Sequence, residues 1–384
     1  MAILCKYNLA TLDGGQNFLK LCLTILPEGY DPTKGKVPEE SNERRNRSET
    51  GRKLTGVKKL LMLCTVPDVP ENHANMQILF ELTRLNNIPY IFVADFKLLL
   101  IVLGLQTAVS SYPCPYCEIH LKDMRDRHRL EHQETCESNT ERSFGSLRRD
   151  ALLFEEEYGN RKECARLSHS TQNKSLILED DSIKTLDKCP PGELHILQGF
   201  VNHTFFDYLV PCLGRESAMK WPLKLNLVSK SYQGEVFEGN AARKLIKSPD
   251  LLLSEDILGS VPPLAVVPFI SCYKAMDKLV SSCFSTDKVQ GDVVELIDNL
   301  KIHYLALDGL SVTLKSHVLF DHLVPCLPRL EGNGLGLYSE PSGESVHREF
   351  LQHYWQKYKI SSLDHPNYSD HLLAAVVEFS SKHA

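Results

Sequence analysis

The first 113 residues alternate short apolar runs with turn signals, and that alternation limits the available folds more than any other feature of the chain. Tyr7 to Leu12 leads into Asp13-Gly14-Gly15, whose glycines permit a tight reversal into the apolar run Phe18 to Leu26, FLKLCLTIL. A third run, Lys58 to Val66, follows a polar loop over 29–56 that includes the basic cluster RRNRSETGRK. That cluster reads as a solvated loop, with phosphate contact or a nuclear address as the other readings. Met76, Leu79, Phe80, Leu82 and Leu85 recur at mostly helical spacing and predict a helix over 72–87. Ile88 to Ala94 then predicts a strand ended by Asp95, Phe96 to Gln106 a buried helix, and Ala108 to Pro113 a last strand. The order is strand, strand, strand, helix, strand, helix, strand.

Composition limits what such a chain does. It has 384 residues, 42% of them hydrophobic, and 43 Lys and Arg against 49 Asp and Glu give a formal charge of −6. That balance excludes a uniformly basic nucleic-acid module, so DNA contact must rest on local patches. The apolar stretch Tyr90 to Val109 is broken by Asp95 and Lys97 and reads as strand plus helix, so no membrane span is expected. Twelve cysteines without a charged-then-apolar leader point to reduced thiols and metal ligands in an intracellular protein.

Beyond residue 118 the chain reads as mostly helical. Polar sequence runs to about 182, Pro190-Pro191 marks a break, and an apolar helix over Leu194 to Leu209 carries His195 and His203. A histidine on such a face is more often a hydrogen-bonded core residue than a ligand. Further helices are expected from Phe237 to Ile246, over 250–258, 271–284, 289–300 and 303–324, and from Ser369 to Ser380. In GLGLYSEPSGESVHREFLQHYWQKYK, over 334–359, Val346, Phe350, Tyr354 and Tyr358 recur every four residues beside Leu351 and Trp355. That is one apolar helical face, with Ser342 as cap and Glu344 in the first turn.

Two candidate chemistries stand out. Asp13 and Asp95 end strands, and a third acid from a helix would let the set hold two divalent metals for phosphodiester chemistry. Each aspartate alone is ordinary turn chemistry. Cys114-Pro115-Tyr116-Cys117 has the C-x2-C spacing with which two thiolates can bind one tetrahedral zinc. Two histidine pairs compete to complete it: His128 with His132, and His317 with His322 in HVLFDH. Spacing alone favours the local pair. The distant pair would tie the helical region to the last core strand, and a chain with no metal there is the third reading.

The strand order and acid placement resemble ribonuclease H-like nucleases. More narrowly, LDGGQNFLKLCLTI, LLMLCTVPD, YIFVADFKLLLIVLGL, YPCPYC, ELHILQGFVNHTFF, FEGNAARKLI, HVLFDHL and GLGLYSEPSGES together resemble the catalytic core of Transib-superfamily transposases and the related V(D)J recombinase. The resemblance implies an α/β fold: a ribonuclease H-like core with a mixed five-stranded sheet, and a large helical insertion before the last catalytic helix. Its parts are 1–117, the insertion 118–330, and the closing helices 331–384. It implies Asp13, Asp95 and Glu344 as catalytic carboxylates for Mg²⁺ or Mn²⁺, with Glu340 a rival for the third place. It implies Cys114, Cys117, His317 and His322 as zinc ligands, against the preference from spacing. The implied activity is DDE-type cleavage and strand transfer on DNA, with transposon ends and target DNA as partners, in a nuclear homodimer. Met1 lies twelve residues before Asp13, so the expectation is a chain without the family's upstream DNA-binding and dimerisation regions. The other expectation is an inactive, domesticated remnant that binds DNA or protein on a zinc-stabilised fold.

Overall fold

The computed structural model describes residues 7–15, 18–26, 60–67, 69–131, 140–156, 161–230, 236–338, 349–358 and 365–383. The loop expected over 29–56 lies outside them, as do His132, Glu340, Ser342, Glu344 and Val346. Two compact units form: residues 1–107, 143–190 and 338–384 make the first, and 108–142 with 191–337 the second. The sequence division assigned 143–190 to the insertion; here that stretch clusters with the sheet.

The first unit is α/β. Strands β1 (Tyr7–Gly15), β2 (Phe18–Leu26), β3 (Leu60–Pro67) and β4 (Ile91–Ala94) form a sheet in the order β3-β2-β1-β4. β1 pairs antiparallel with β2 and parallel with β4, and β2 pairs antiparallel with β3. The β1–β2 hairpin runs on to Gly15↔Phe18, so Gly14 and Gly15 extend the strand instead of turning it, and Asp13 sits opposite Lys20. Ala10 and Leu12, two apart, are both buried, as the period of a strand requires. The fifth strand expected over 108–113 is not formed: those residues run through turns and bends into Pro113 and Pro115, and proline has no N–H for a ladder. Among the described residues the sheet therefore has four strands.

Helix α1 (His73–Thr83) starts where the Asn72 side chain accepts the Asn75 N–H at 3.0 Å, and it buries Met76, Leu79 and Phe80. Leu82, expected on the same face, is 76% exposed. Helix α2 (Phe96–Val102) is buried nearly throughout and shorter than expected. The chain leaves it at Gly104, with φ of +77°, where a Cβ would lie 2.0 Å from the Asn173 carbonyl oxygen; glycine alone fits there. The run from Tyr90 thus divides into β4 and α2, and among the described residues no helix is long and apolar enough to cross a membrane. Near the C-terminus, Phe350, Leu351, Tyr354 and Trp355 join Tyr368, Leu372, Ala375 and Phe379 of helix Tyr368–His383 in one buried cluster with Cys22 of β2. The apolar face read over 346–358 is realised from residue 350 on, along a π-helical stretch, Phe350–Trp355.

The second unit is helical. Its core is aromatic: Phe200, Phe205, Trp221, Phe237, Phe269, Tyr273 and Tyr304 are all fully buried. Ring centroids of Phe269 and Tyr273 lie 4.1 Å apart, and Phe205 meets Phe237 edge-on at 4.9 Å. The polar tips are satisfied: Trp221 Nε1 donates to Ser248 O at 3.0 Å and Tyr304 Oη to Ser311 O at 2.8 Å. His203, on helix Glu193–Thr204, bonds Asp207 and the Ser311 carbonyl, which makes it a paired histidine rather than a ligand. The helix expected over 289–300 forms as Val293–Leu305, and the one expected over 303–324 starts only at Leu314, after a turn at Gly309 with φ of +84°. Trp221→Ala should lower stability by about 3–5 kcal/mol through the cavity it leaves. Chemical denaturation followed by circular dichroism tests this.

Candidate metal centre

The Cys114–Cys117 turn is held through its backbone carbonyls by Arg142. Arg142, fully buried, donates from Nε to the carbonyls of Cys114 (2.9 Å) and Cys117 (3.2 Å), and its backbone N–H reaches Tyr116 O at 2.8 Å. Cys117 also bridges to Glu141. The Tyr116 N–H points at Cys114 Sγ, 3.4 Å away, so the turn offers its first sulfur a backbone donor. That geometry suits a thiolate.

The histidines come from a helix that changes pitch. Thr313 caps it by accepting the Ser316 N–H at 3.2 Å, and Leu314–His317 is α-helical. Five residues along an α-helix advance about 500°, which would set His317 and His322 roughly 140° apart. The chain instead takes a π-helical turn over Val318–His322. Its wider i→i+5 turn returns the second histidine to the face of the first. The two Nε2 atoms lie 3.2 Å apart.

All four side chains meet. Cys114 Sγ is 3.4 Å from His322 Nε2, and Cys117 Sγ is 3.4 Å from His317 Nε2. The four ligand atoms lie within 4.8 Å of one another, and the residues are at most 4% exposed. Zinc bonds of about 2.3 Å to sulfur and 2.0–2.1 Å to nitrogen put S···N edges of a tetrahedron near 3.5 Å and N···N edges near 3.3 Å. The observed separations fit. A divalent ion would satisfy four buried lone pairs at one point, whereas protons could satisfy them only in pairs. This buried group can therefore hold a metal ion such as zinc.

The surroundings prepare that role. His317 Nδ1 lies 2.6 Å from Asp321 Oδ2, one α-helical turn on, and 3.4 Å from Arg129 Nη2. Nδ1 cannot both donate to the acid and accept from the guanidinium, and the shorter bond decides: Nδ1–H donates to Asp321, leaving the Nε2 lone pair for a metal. Arg129 Nη2 also donates to Asp321 at 2.6 Å. Burial works to raise the Asp321 carboxyl, but the hydrogen bond and charge of His317, with the Arg129 charge, outweigh it and hold it at about 2. Burial would likewise raise Cys114, yet the Cys117 hydrogen bond and the charges of His322 and His317 hold it well below the ordinary thiol range. Elsewhere burial wins: it raises Cys189 and Cys272, and pushes Cys283 up to about 12.

His128 is 78% exposed and bonds Glu131 at 3.0 Å, and His132 lies outside the described residues. Of the three expected carboxylates, Glu344 and its rival Glu340 lie outside them as well. Asp95 caps α2, its Oδ1 accepting the Leu98 N–H at 2.7 Å. The β1–β4 register ends at Leu12↔Ala94, so Asp13 and Asp95 are the next residues along two adjacent parallel strands. The sequence reading missed Asp321, Arg129 and Arg142; an aspartate four residues after His317 was the one available signal.

No family model matches this chain, and no curated protein matches it in sequence.

His317→Ala or Cys117→Ala should take bound zinc from a full equivalent to near none and lower the melting temperature. His128→Ala should leave both unchanged. Metal analysis and thermal denaturation of the three variants decide between the histidine pairs.

Proposed function

We propose that this chain is the core of a DDE-type DNA transposase or recombinase, a ribonuclease H-like nuclease whose helical unit is stabilised by zinc. The observation that carries the reading is the strand register. In the strand order β3-β2-β1-β4, β1 and β4 are parallel neighbours, and Asp13 and Asp95 follow the last residues paired between them. Residues that end neighbouring parallel strands are where a sheet of this type gathers its chemistry. The cysteine and histidine group, which the resemblance names as zinc ligands, adds a second, independent point of agreement.

Mg²⁺ or Mn²⁺ bound between such carboxylates would supply activation of the attacking oxygen and stabilisation of the leaving one. The chain's own part is to hold the acids. Asp95 gives one oxygen to the Leu98 amide, which fixes its carboxylate at the start of α2 and leaves the other oxygen for a ligand. Glu344 is the third acid in this reading, just ahead of the helical stretch that Phe350, Tyr354 and Trp355 anchor in the first unit's core. Arg and Lys side chains would position DNA by its phosphates. Transposon ends and target DNA are the proposed partners, in a nuclear homodimer.

A second reading has its own observation. The cap made by Asp95 accounts for an aspartate at that position without any metal, as in a zinc-stabilised protein that binds DNA or protein without cutting.

Asp95→Asn separates the two readings, because asparagine caps a helix about as well as aspartate but carries no charge. The enzyme reading expects wild-type chain to nick supercoiled plasmid with Mg²⁺ or Mn²⁺, and Asp95→Asn to fall to background with unchanged melting temperature. Nicking undiminished in that variant would sink the assignment, and a wild-type chain that binds DNA but never nicks it favours the second reading.

A further inference from the structure

Arg129 is a buried cation with a single carboxylate to serve. It sits on the short helix His128–Glu131, is 7% exposed, and gives Nη2 to Asp321 Oδ2, while its Nε and Nη1 have no hydrogen-bond partner among the described residues. Desolvating a guanidinium costs several kcal/mol unless its partner returns the cost. Holding the helix in place does not explain that burial, because Arg127 already does so: its two terminal nitrogens donate to the carbonyls of Leu305 and Leu307, at the end of helix Val293–Leu305. Arg129 instead faces the oxygen of Asp321 that receives the His317 ring N–H.

We propose that Arg129 is a positioning residue of the metal centre: by gripping Asp321 it fixes the His317 ring and sets how tightly the centre holds its ion. The inference rests on the reading of Cys114, Cys117, His317 and His322 as a metal centre. Two consequences of the geometry support it. Asp321 Oδ2 stands 2.6 Å from both donors, so the carboxylate has one orientation that satisfies the two, and the imidazole plane is set with it. The charges also close: a divalent ion, two thiolates, Asp321 and Arg129 sum to zero, which suits a site shut off from water. Without the guanidinium the carboxylate keeps one donor and is free to turn, taking His317 Nε2 off its corner of the tetrahedron.

The test uses the full chain loaded with Zn²⁺ and competed against a chromogenic chelator, with parallel spectra of the Co²⁺-loaded protein. Arg129→Met should weaken zinc binding by about 10–100-fold, the range for partners that orient a metal-bound histidine. It should also shift the Co²⁺ ligand-field bands, and Arg129→Lys should recover much of both. Arg127→Met is the structural control: it should lower the melting temperature and leave zinc affinity and the Co²⁺ bands as they are. If Arg129→Met does not fold, Asp321→Asn, which keeps an acceptor for the ring but drops the charge that holds Arg129, should weaken zinc in the same direction. A folded Arg129→Met, or failing that Asp321→Asn, with wild-type zinc affinity overturns the inference and leaves the metal centre standing. A wild-type chain that takes up no zinc overturns both.

Discussion

The second unit depends on closing a very long loop. Cys114 meets His322 across 208 residues of chain and Cys117 meets His317 across 200. Bringing two points that far apart together costs on the order of 5 kcal/mol in chain entropy, comparable to the whole stability of a marginal domain. Hydrogen bonds among four buried side chains return about 1 kcal/mol each, and about 1.5–3 kcal/mol where one partner is charged. A structural zinc ion in a small peptide supplies about 10–16 kcal/mol, enough to outweigh the closure alone. The aromatic core around Trp221 and Tyr273 shares the burden, and the metal group joins the two ends of this unit's sequence together with Arg127 on the Leu305 and Leu307 carbonyls and Arg329 on Glu141.

Much of the first unit was legible because local rules and packing agree there. Phe18–Leu26 was read to the residue, and the face carrying Phe350, Tyr354 and Trp355 was read from its spacing. Errors fall where a local rule was outweighed. Residues 108–113 look extended, yet the flanking prolines and the bond from Leu121 N–H to Ser111 O fold them into turns. Leu82 fits the helical stripe but faces water, because Leu85 in the turn beyond α1 takes the buried place. Spacing favoured His128 for the metal over His317. Local distance along the chain carries no information about which helix will return from two hundred residues away.

The π-helical turn is the part of the centre that no periodicity reveals. An HxxxxH pair is a poor α-helical site, and a reader counting 3.6 residues per turn would discard it. Widened turns also occur at Phe205–Leu209 and Phe350–Trp355, where large aromatic side chains are buried. In each case side-chain demands set the pitch of the backbone, reversing the usual direction of inference from helix to face.

The brace that Arg142 makes across the Cys114–Cys117 turn bears on the order of events during synthesis. The turn and its brace lie within residues 114–142, so the thiolate half is complete long before His317 exists. At about 5–20 residues per second, the histidines follow the cysteines by roughly 10–40 s. A nascent chain would spend that interval with two thiolates arranged and two coordination places open to water or to a borrowed ligand. An ion held by the cysteines at that stage would wait for His317 and His322 to complete its ligand set, so the return of the second pair would be the later of the two events.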